Sequence, residues 1–405
     1  MSSSPPSEAV SGRRTTPPQW VAVGVLTLAT FVVVTSEMLP VGVLTPMADG
    51  LSIPPGAAGA SLTITGLVSA VTAPVVPRLL GDLDRRAVLA AAMVVLAVGN
   101  GLTAVSEGFG TLVVSRVVLG IGMGTVWGMA AAVATRLVAP RDVALAVSFA
   151  VSGVASASVL GVPLGTLVGN AFGWRAAFGS LAVLALAVAL ALALTLPGLR
   201  RPEPTGHGDG GGRHRSLARP AVVTGLVVVV LLVTAHFAAY TYVRPALEEL
   251  PRMSANTVAL LLLLYGVFGL VGNFAAGAVA GRRPRPTVLL LAAGIGLAVA
   301  VLAGFGTLAP AAGAAIALWG LAYGGLSVGA QLWMTGAAPD RVEHVTGLYV
   351  GVFTASIALG AFLGGVVVEG AGIVPLLWSA AALAAASLLV GIFGPGPHRR
   401  PPASD

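Results

Sequence analysis

The stretch from Trp20 to Leu44, WVAVGVLTLATFVVVTSEMLPVGVL, decides how the rest of the chain is read. It is apolar for longer than the roughly 20 residues that a helix needs to cross a bilayer. Yet it holds a carboxylate, in Thr35-Ser36-Glu37-Met38-Leu39-Pro40. An ionised side chain near the centre of a membrane helix costs about 3 kcal/mol or more. A chain that keeps Glu37 there either uses it or neutralises it with a partner.

The composition agrees with a membrane reading. Of 405 residues, 56% are hydrophobic and 9% charged, against roughly 25% charged in a globular domain. A water-soluble protein is excluded. Apolar runs fall at 20–44, 58–80, 87–106, 111–133, 143–167, 175–196, 220–243, 256–280, 287–306, 311–334, 345–367 and 373–394. Backbone groups in hydrocarbon must bond within their own segment, and no barrel-like alternation is present. The expected fold is an all-α polytopic membrane protein of twelve transmembrane helices. With no Cys, disulfides and thiolate metal sites are excluded, and no cofactor or metal is expected. The +7 charge is not read as nucleic-acid binding, because the arginines lie between the apolar runs.

Those arginines give an orientation. Arg13, Arg14, Arg85, Arg86, Arg136, Arg141, Arg282 and Arg283 fall on one side of the threaded chain, and only Arg175, Arg244 and Arg252 on the other. By the positive-inside rule both termini are expected in the cytoplasm, in a bacterial plasma membrane. The run at Trp20 has no small-residue cleavage site after it and is expected to be kept as the first span. The Gly-, Pro- and Arg-rich segment 197–219 reads as a linker. The expected organisation is a tail (1–19), a six-helix bundle (20–196), the linker, a second six-helix bundle (220–394) and a tail (395–405).

The two bundles read as a repeat. Gly120 and Gly124 recur as Gly320 and Gly324, an offset of 200, and Gly161 and Gly165 recur as Gly360 and Gly364, an offset of 199. The same offset carries Glu37 to His236, a histidine inside an apolar run. Both groups could face a central cavity and handle protons. The plainer alternative is a protonated hydrogen bonder at Glu37 and a satisfied core histidine at His236. Arg116 needs an acidic or carbonyl partner and could tune a proton site or act as a buried clamp. Gly153, Gly161, Pro163 and Gly165 combine small residues with a helix-bending proline and read as a hinge. Gly81, Asp84, Arg85 and Arg86 read as an ion-pair latch or as simple positive anchors. Trp127, Tyr240, Tyr323 and Trp333, with the amides Gln331 and Asn273, could line a cavity for a planar or amphipathic ligand.

On these motifs the chain resembles the major facilitator superfamily over roughly residues 20 to 394. Arg116, Gly120 and Gly124 look like the family's fourth-helix motif. Gly161, Pro163 and Gly165 look like its fifth-helix antiporter motif, and the loop with Gly81, Asp84, Arg85 and Arg86 like a degenerate form of its signature loop. Thr35-Ser36-Glu37 with Pro40, Thr45-Pro46-Met47-Ala48, Gly173-Trp174-Arg175 and Thr241-Tyr242-Val243-Arg244-Pro245 are similar to its bacterial drug- and sugar-efflux branch, above all to nucleoside exporters there. The resemblance implies two pseudo-symmetric six-helix bundles and proton-coupled antiport. The cargo would be a small polar or amphipathic solute, whether drug, nucleoside or sugar. Expected partners are that solute, protons and the bilayer, with a monomer as the working unit. An uptake symporter or a non-transporting sensor is the alternative. An enzyme is not expected, since no paired acids, His cluster or nucleophile–base set sits at a membrane face.

Overall fold

The computed structural model describes residues 15–79, 83–199, 219–339 and 341–395. The expectations placed on Gly81, on most of the linker and on the outer parts of both tails lie outside the described residues. Among the described residues twelve helices are long and apolar enough to cross a membrane. They are α1 (Pro17–Leu51), α2 (Pro55–Val76), α3 (Arg85–Ala104), α4 (Phe109–Ala130), α5 (Leu145–Phe172), α6 (Trp174–Thr195), α7 (Pro220–Tyr240), α8 (Ala255–Ala280), α9 (Pro284–Phe305), α10 (Ala309–Ala337), α11 (Val345–Ala371) and α12 (Ile373–Phe393).

α1 is longer than the apolar run that announces it. The backbone N–H of Thr16 donates to the Gln19 side chain at 2.7 Å, and prolines fill the first helical positions, where their missing N–H costs nothing. Further along, Pro40 and Pro46 sit inside the helix. Each removes an N–H, so the carbonyls four residues earlier, on Ser36 and Gly42, lose their helical donors. The helix bends at Val43 (φ −122°, ψ 20°). α7 does the same at the equivalent place. It stops at Tyr240, three residues short of the apolar run. Tyr242 takes φ −107°, ψ 19°, and a short helix, Val243–Glu249, carries on with Pro245 in its first turn. Val43 and Tyr242, like Pro46 and Pro245, are 199 residues apart.

The repeat extends to packing partners. A Cβ at Gly120 would meet the Thr65 carbonyl of α2, and one at Gly320 the Tyr265 carbonyl of α8. Those partners are themselves 200 apart. Gly161 packs on Thr35 and Gly165 on Leu39 of α1, while Gly360 packs on Thr234 and Gly364 on Ala238 of α7. Two more glycines open α6 and α12 with positive φ, Gly173 at 87° and Gly372 at 90°, a region closed to most side chains. The chain is therefore two pseudo-symmetric six-helix bundles, built by one set of local rules used twice.

The apolar interior is divided unequally. From Leu39 to Leu51, α1 shares one continuous core with the second bundle. From Ala22 to Val33 it belongs to a separate core with α3, α4 and α6. The bundles are thus fused toward the arginine-poor end and distinct toward the arginine-rich end.

Candidate functional site

Glu37 lies where that division occurs. It is 6% exposed, and among the described residues its carboxyl group makes no hydrogen bond or ion pair. Tyr323 of α10, in the other bundle, is within its electrostatic reach. Its neighbour Ser36 is held on two sides. Asn100 of α3 donates to the Ser36 hydroxyl at 2.9 Å, and Arg116 of α4 donates to the Ser36 carbonyl at 3.4 Å. That carbonyl is the one Pro40 releases. Arg116 is fully buried, with its guanidinium 4.8 Å from the Phe178 ring centre. Among the described residues Arg116 bonds the backbone beside Glu37 and not its carboxylate.

His236, at the equivalent place on α7, has different surroundings. It is fully buried, and Trp319 Nε1 of α10 donates to its Nδ1 at 2.9 Å. Tyr323 stacks on the imidazole at 3.6 Å with the planes 5° apart, Tyr240 stacks at 5.1 Å, and Phe237 meets its edge at 4.8 Å. Tyr265 of α8 stacks in turn on Tyr240 at 4.8 Å. Among the described residues His236 and Glu37 do not bond each other.

Of the six side chains expected to line a cavity, this cluster gathers Tyr240 and Tyr323. Trp127 packs against the core of the first bundle. Trp333 is buried on α10 beside Gly225 of α7, and Gln331 and Asn273 are half-buried elsewhere. None of these four shares a ring contact or a hydrogen bond with the His236 cluster. Trp319 and Tyr265 belong to it but were not singled out from the sequence. The available signal was the four-residue spacing of Trp319 and Tyr323, which puts both rings on one helix face.

The arginine-poor end is tied shut across the bundles. Arg244, from the short helix after α7, donates to the Gly42 carbonyl and, at 3.1 Å, to Asn170 of α5. It also pairs with Glu248 at 2.8 Å, and Glu248 accepts from Thr45 of α1. The Gly42 carbonyl is the one Pro46 releases. Thus Pro40 and Pro46 each expose an acceptor, and an arginine from another helix takes it. On the same end, Glu369 of α11 accepts from the Ala57 N–H at 3.0 Å, at the start of α2. The favourable end of a helix dipole adds to that contact. At the arginine-rich end, hydrogen bonds join helices within a bundle. Arg219 binds the Ala337 carbonyl, Arg285 binds those of Gly391, Ile392 and Gly394, and Leu199 donates to Asp84.

The remaining motifs have definite places. Gly153 packs against Thr27 and Thr30 of α1. Ala157–Gly161 forms a π turn ahead of Pro163, which withdraws a donor from Val159. Gly266 of α8 lies directly on this turn, and a Cβ there would come within 2.6 Å of Val159 Cα. The hinge motif therefore touches Glu37's helix on one side and the second bundle on the other. In the loop, Asp84 is a cap: it accepts from the N–H groups of Arg86 at 3.0 Å and Leu199 at 2.9 Å, tying the start of α3 to the end of α6.

Residues 26–361 match the model of the Major Facilitator Superfamily. The chain is 32% identical over 381 residues to the purine ribonucleoside efflux pump NepI of Escherichia coli K12, covering 93% of this chain and 94% of that one. It is also 32% identical over 378 residues to the transcription regulatory protein OpdE of Pseudomonas aeruginosa, covering 92% of each. Among solved structures it is similar to the nucleoside transporter NupG (TM-score 0.74, 13% identity, 92% of this chain and 98% of that one). It is likewise similar to a bacterial homologue of the lysosomal transporter Spinster in an inward-facing, occupied conformation (TM-score 0.70, 14% identity, 93% and 96%). With two repeated six-helix bundles closed at one end and a family match over most of its length, the chain belongs to the Major Facilitator Superfamily and is a multi-pass membrane transporter, not an enzyme.

Proposed function

We propose that this transporter is a proton-coupled antiporter that exports a small polar or amphipathic solute, with purine nucleosides as the first class to test. Glu37 carries the reading. It is a buried carboxyl group with no bonding partner among the described residues, about 7.5 Å inside the Gly42–Arg244 closure at 1.5 Å per helical residue, at the level where the bundles part. An intramembrane acid in such a place is suited to relaying protons. The π turn and Pro163 in α5, against Gly266, supply a pivot, and rocking about it would expose Glu37 to each side in turn. The nucleoside lean draws on the likeness to NepI and on the aromatic wall around His236, which suits a planar ring.

The arginine-rich face is taken as cytoplasmic, with both termini there and the bundles bounded at 20–196 and 220–394. The closed end is then external and the conformation is inward-facing. Solute enters from the cytoplasm, the closure at Arg244 opens, and a proton taken up at Glu37 drives the return. The working unit is a monomer.

The test is inosine transport in everted vesicles driven by an imposed pH gradient. Glu37→Gln should lose gradient-driven transport by about 100-fold, the lower end of what a positioned proton-transfer group contributes, while still exchanging inosine across the membrane without a gradient. Full gradient-driven transport by Glu37→Gln at equal expression would overturn the coupling role. Reporter fusions that place the 197–219 linker outside the cell would overturn the orientation.

A further inference from the structure

The aromatic cluster of the second bundle holds two buried polar atoms that nothing in the fold employs. Among the described residues, His236 Nε2 and the Tyr265 hydroxyl have no hydrogen-bond partner. Buried polar groups are almost always paired, so an orphan asks for a reason. Here the orphans come from adjacent helices, α7 and α8, and lie within one set of stacked rings.

The proton on His236 can be placed. An indole N–H only donates, so the bond from Trp319 makes Nδ1 an acceptor. A neutral imidazole that accepts at Nδ1 carries its hydrogen at Nε2. The unused atom is therefore a donor, aimed by Trp319. Tyr323 covers one face of the same imidazole at 3.6 Å, nearly parallel, which is the spacing of a stacked planar ring. Unlike the rest of the cluster it is only half-buried. It is followed by Gly324 and Gly325, where α10 breaks into Ala309–Gly324 and Leu326–Ala337. The two glycines pack closely on Gly269, Gly272 and Ala276 of α8, so they fix the backbone there and leave the half-buried Tyr323 ring as the part of the cluster open to exchange with a solute.

We propose that His236, held in its Nε2–H tautomer by Trp319, donates a hydrogen bond to an acceptor on the solute's planar ring, and that Tyr323 occupies the solute's stacking place until it arrives. Tyr265 supplies the second polar point. The proposal rests on the purine nucleoside reading above for its probe, though not for its tautomer.

Two measurements separate the proposals. In nitrogen-15 histidine spectra of the purified protein, the signal lost in His236→Gln should report the Nε2–H tautomer in wild type and a mixture in Trp319→Phe. An Nδ1–H or doubly protonated ring in wild type overturns the donor role whatever the solute is. The second is equilibrium binding of labelled inosine. His236→Leu should bind about 10-fold or more weakly, as expected when a buried acceptor loses its donor, and Tyr265→Phe several-fold more weakly. His236→Gln, which keeps an N–H at the same reach, should recover most of the affinity lost in His236→Leu. If wild type itself binds no inosine, the nucleoside reading fails while the tautomer result stands. If wild type binds and both His236→Leu and Tyr265→Phe bind equally well, this site is wrong. Tyr265→Phe removes a single hydroxyl group, so it decides the matter even if His236→Leu does not fold.

Discussion

Glu37 and His236 occupy the same register of two repeated helices, and the fold treats them in opposite ways. Each lies six residues before a matching break, at Val43 and Tyr242, and each helix takes glycines of the same motif against it, at Thr35 and Leu39 or at Thr234 and Ala238. Yet among the described residues Glu37 has no bonding partner, whereas His236 is bonded to Trp319 and walled in by rings. Duplicated packing does not impose duplicated chemistry. Glycine contacts and proline breaks are backbone devices and survive any change of side chain beyond them. The side chains at the seam answer only to their local surroundings, and those have diverged into an acid site in one bundle and an aromatic site in the other.

The largest effect should come from exchanging the two groups for their neutral amides. Glu37→Gln is expected to remove coupled transport, while His236→Gln should change it by no more than a few-fold, since Gln keeps the donor. Equal losses in both would erase the contrast and return the pair to a shared proton role. Next in size is the closure. Arg244→Ala would leave the Gly42 carbonyl, Asn170 and Glu248 without their common donor. Breaking a buried ion pair from one side costs about 3–5 kcal/mol, to be discounted here because Glu248 is 22% exposed. The chain has no Cys, so a single Cys at Ala48 can report on the closure. Its labelling from outside should speed up at least several-fold in Arg244→Ala. An unchanged rate would mean that the apolar core from Leu39 to Leu51 holds this end shut by itself.

Pro46→Ala and Pro40→Ala probe the same comparison more gently. Each restores an N–H to α1, which then competes with an arginine for one carbonyl. A single intramolecular hydrogen bond contributes about 1 kcal/mol, so labelling at Ala48 should rise only a few-fold in Pro46→Ala. Pro40→Ala, which acts on Ser36 and Arg116 inside the first bundle, should leave that labelling unchanged. If both variants open the closure equally, the bend of α1 as a whole controls it and the individual carbonyls do not.

Much of this architecture was legible because it is written in small residues and prolines. The offsets of Gly120 and Gly320, or of Gly161 and Gly360, predicted which surfaces would match, because a close helix crossing tolerates little else. The twelve spans were legible from hydropathy. The arginine contacts were not. Arg116 and Arg244 reach carbonyls 80 and 202 residues away, and nothing local marks which carbonyl a proline will release to which donor. Trp319 and Tyr265 escaped notice for a related reason: an aromatic ring inside an apolar span looks the same whether it meets lipid, core or cavity. Trp333, Gln331 and Asn273 were singled out by residue type, and type does not say which way a side chain points.

The smallest expected effect lies at the arginine-rich end, where the bundles are separate. The Thr15 hydroxyl donates to Asp142, and the Ala139 N–H donates to Thr15 at 3.1 Å, pinning the start of α1 to the loop before α5. This hydrogen bond, followed by the nearby Arg141 charge, holds the Asp142 carboxyl below its ordinary value of 3.8. A carboxyl group whose pKa is depressed on folding contributes stability above its unfolded value, and that contribution fades as the pH falls through the folded value. Thr15→Val should therefore lower the melting temperature slightly at pH 7, and the difference from wild type should shrink as the pH is taken below about 4. Asp142 is a surface group, so the shift should be close to the limit of detection. A large loss at pH 7, or one that persists in acid, would mean that the start of α1 is held by something other than this carboxylate, and that the open end is more firmly built than its separate core implies.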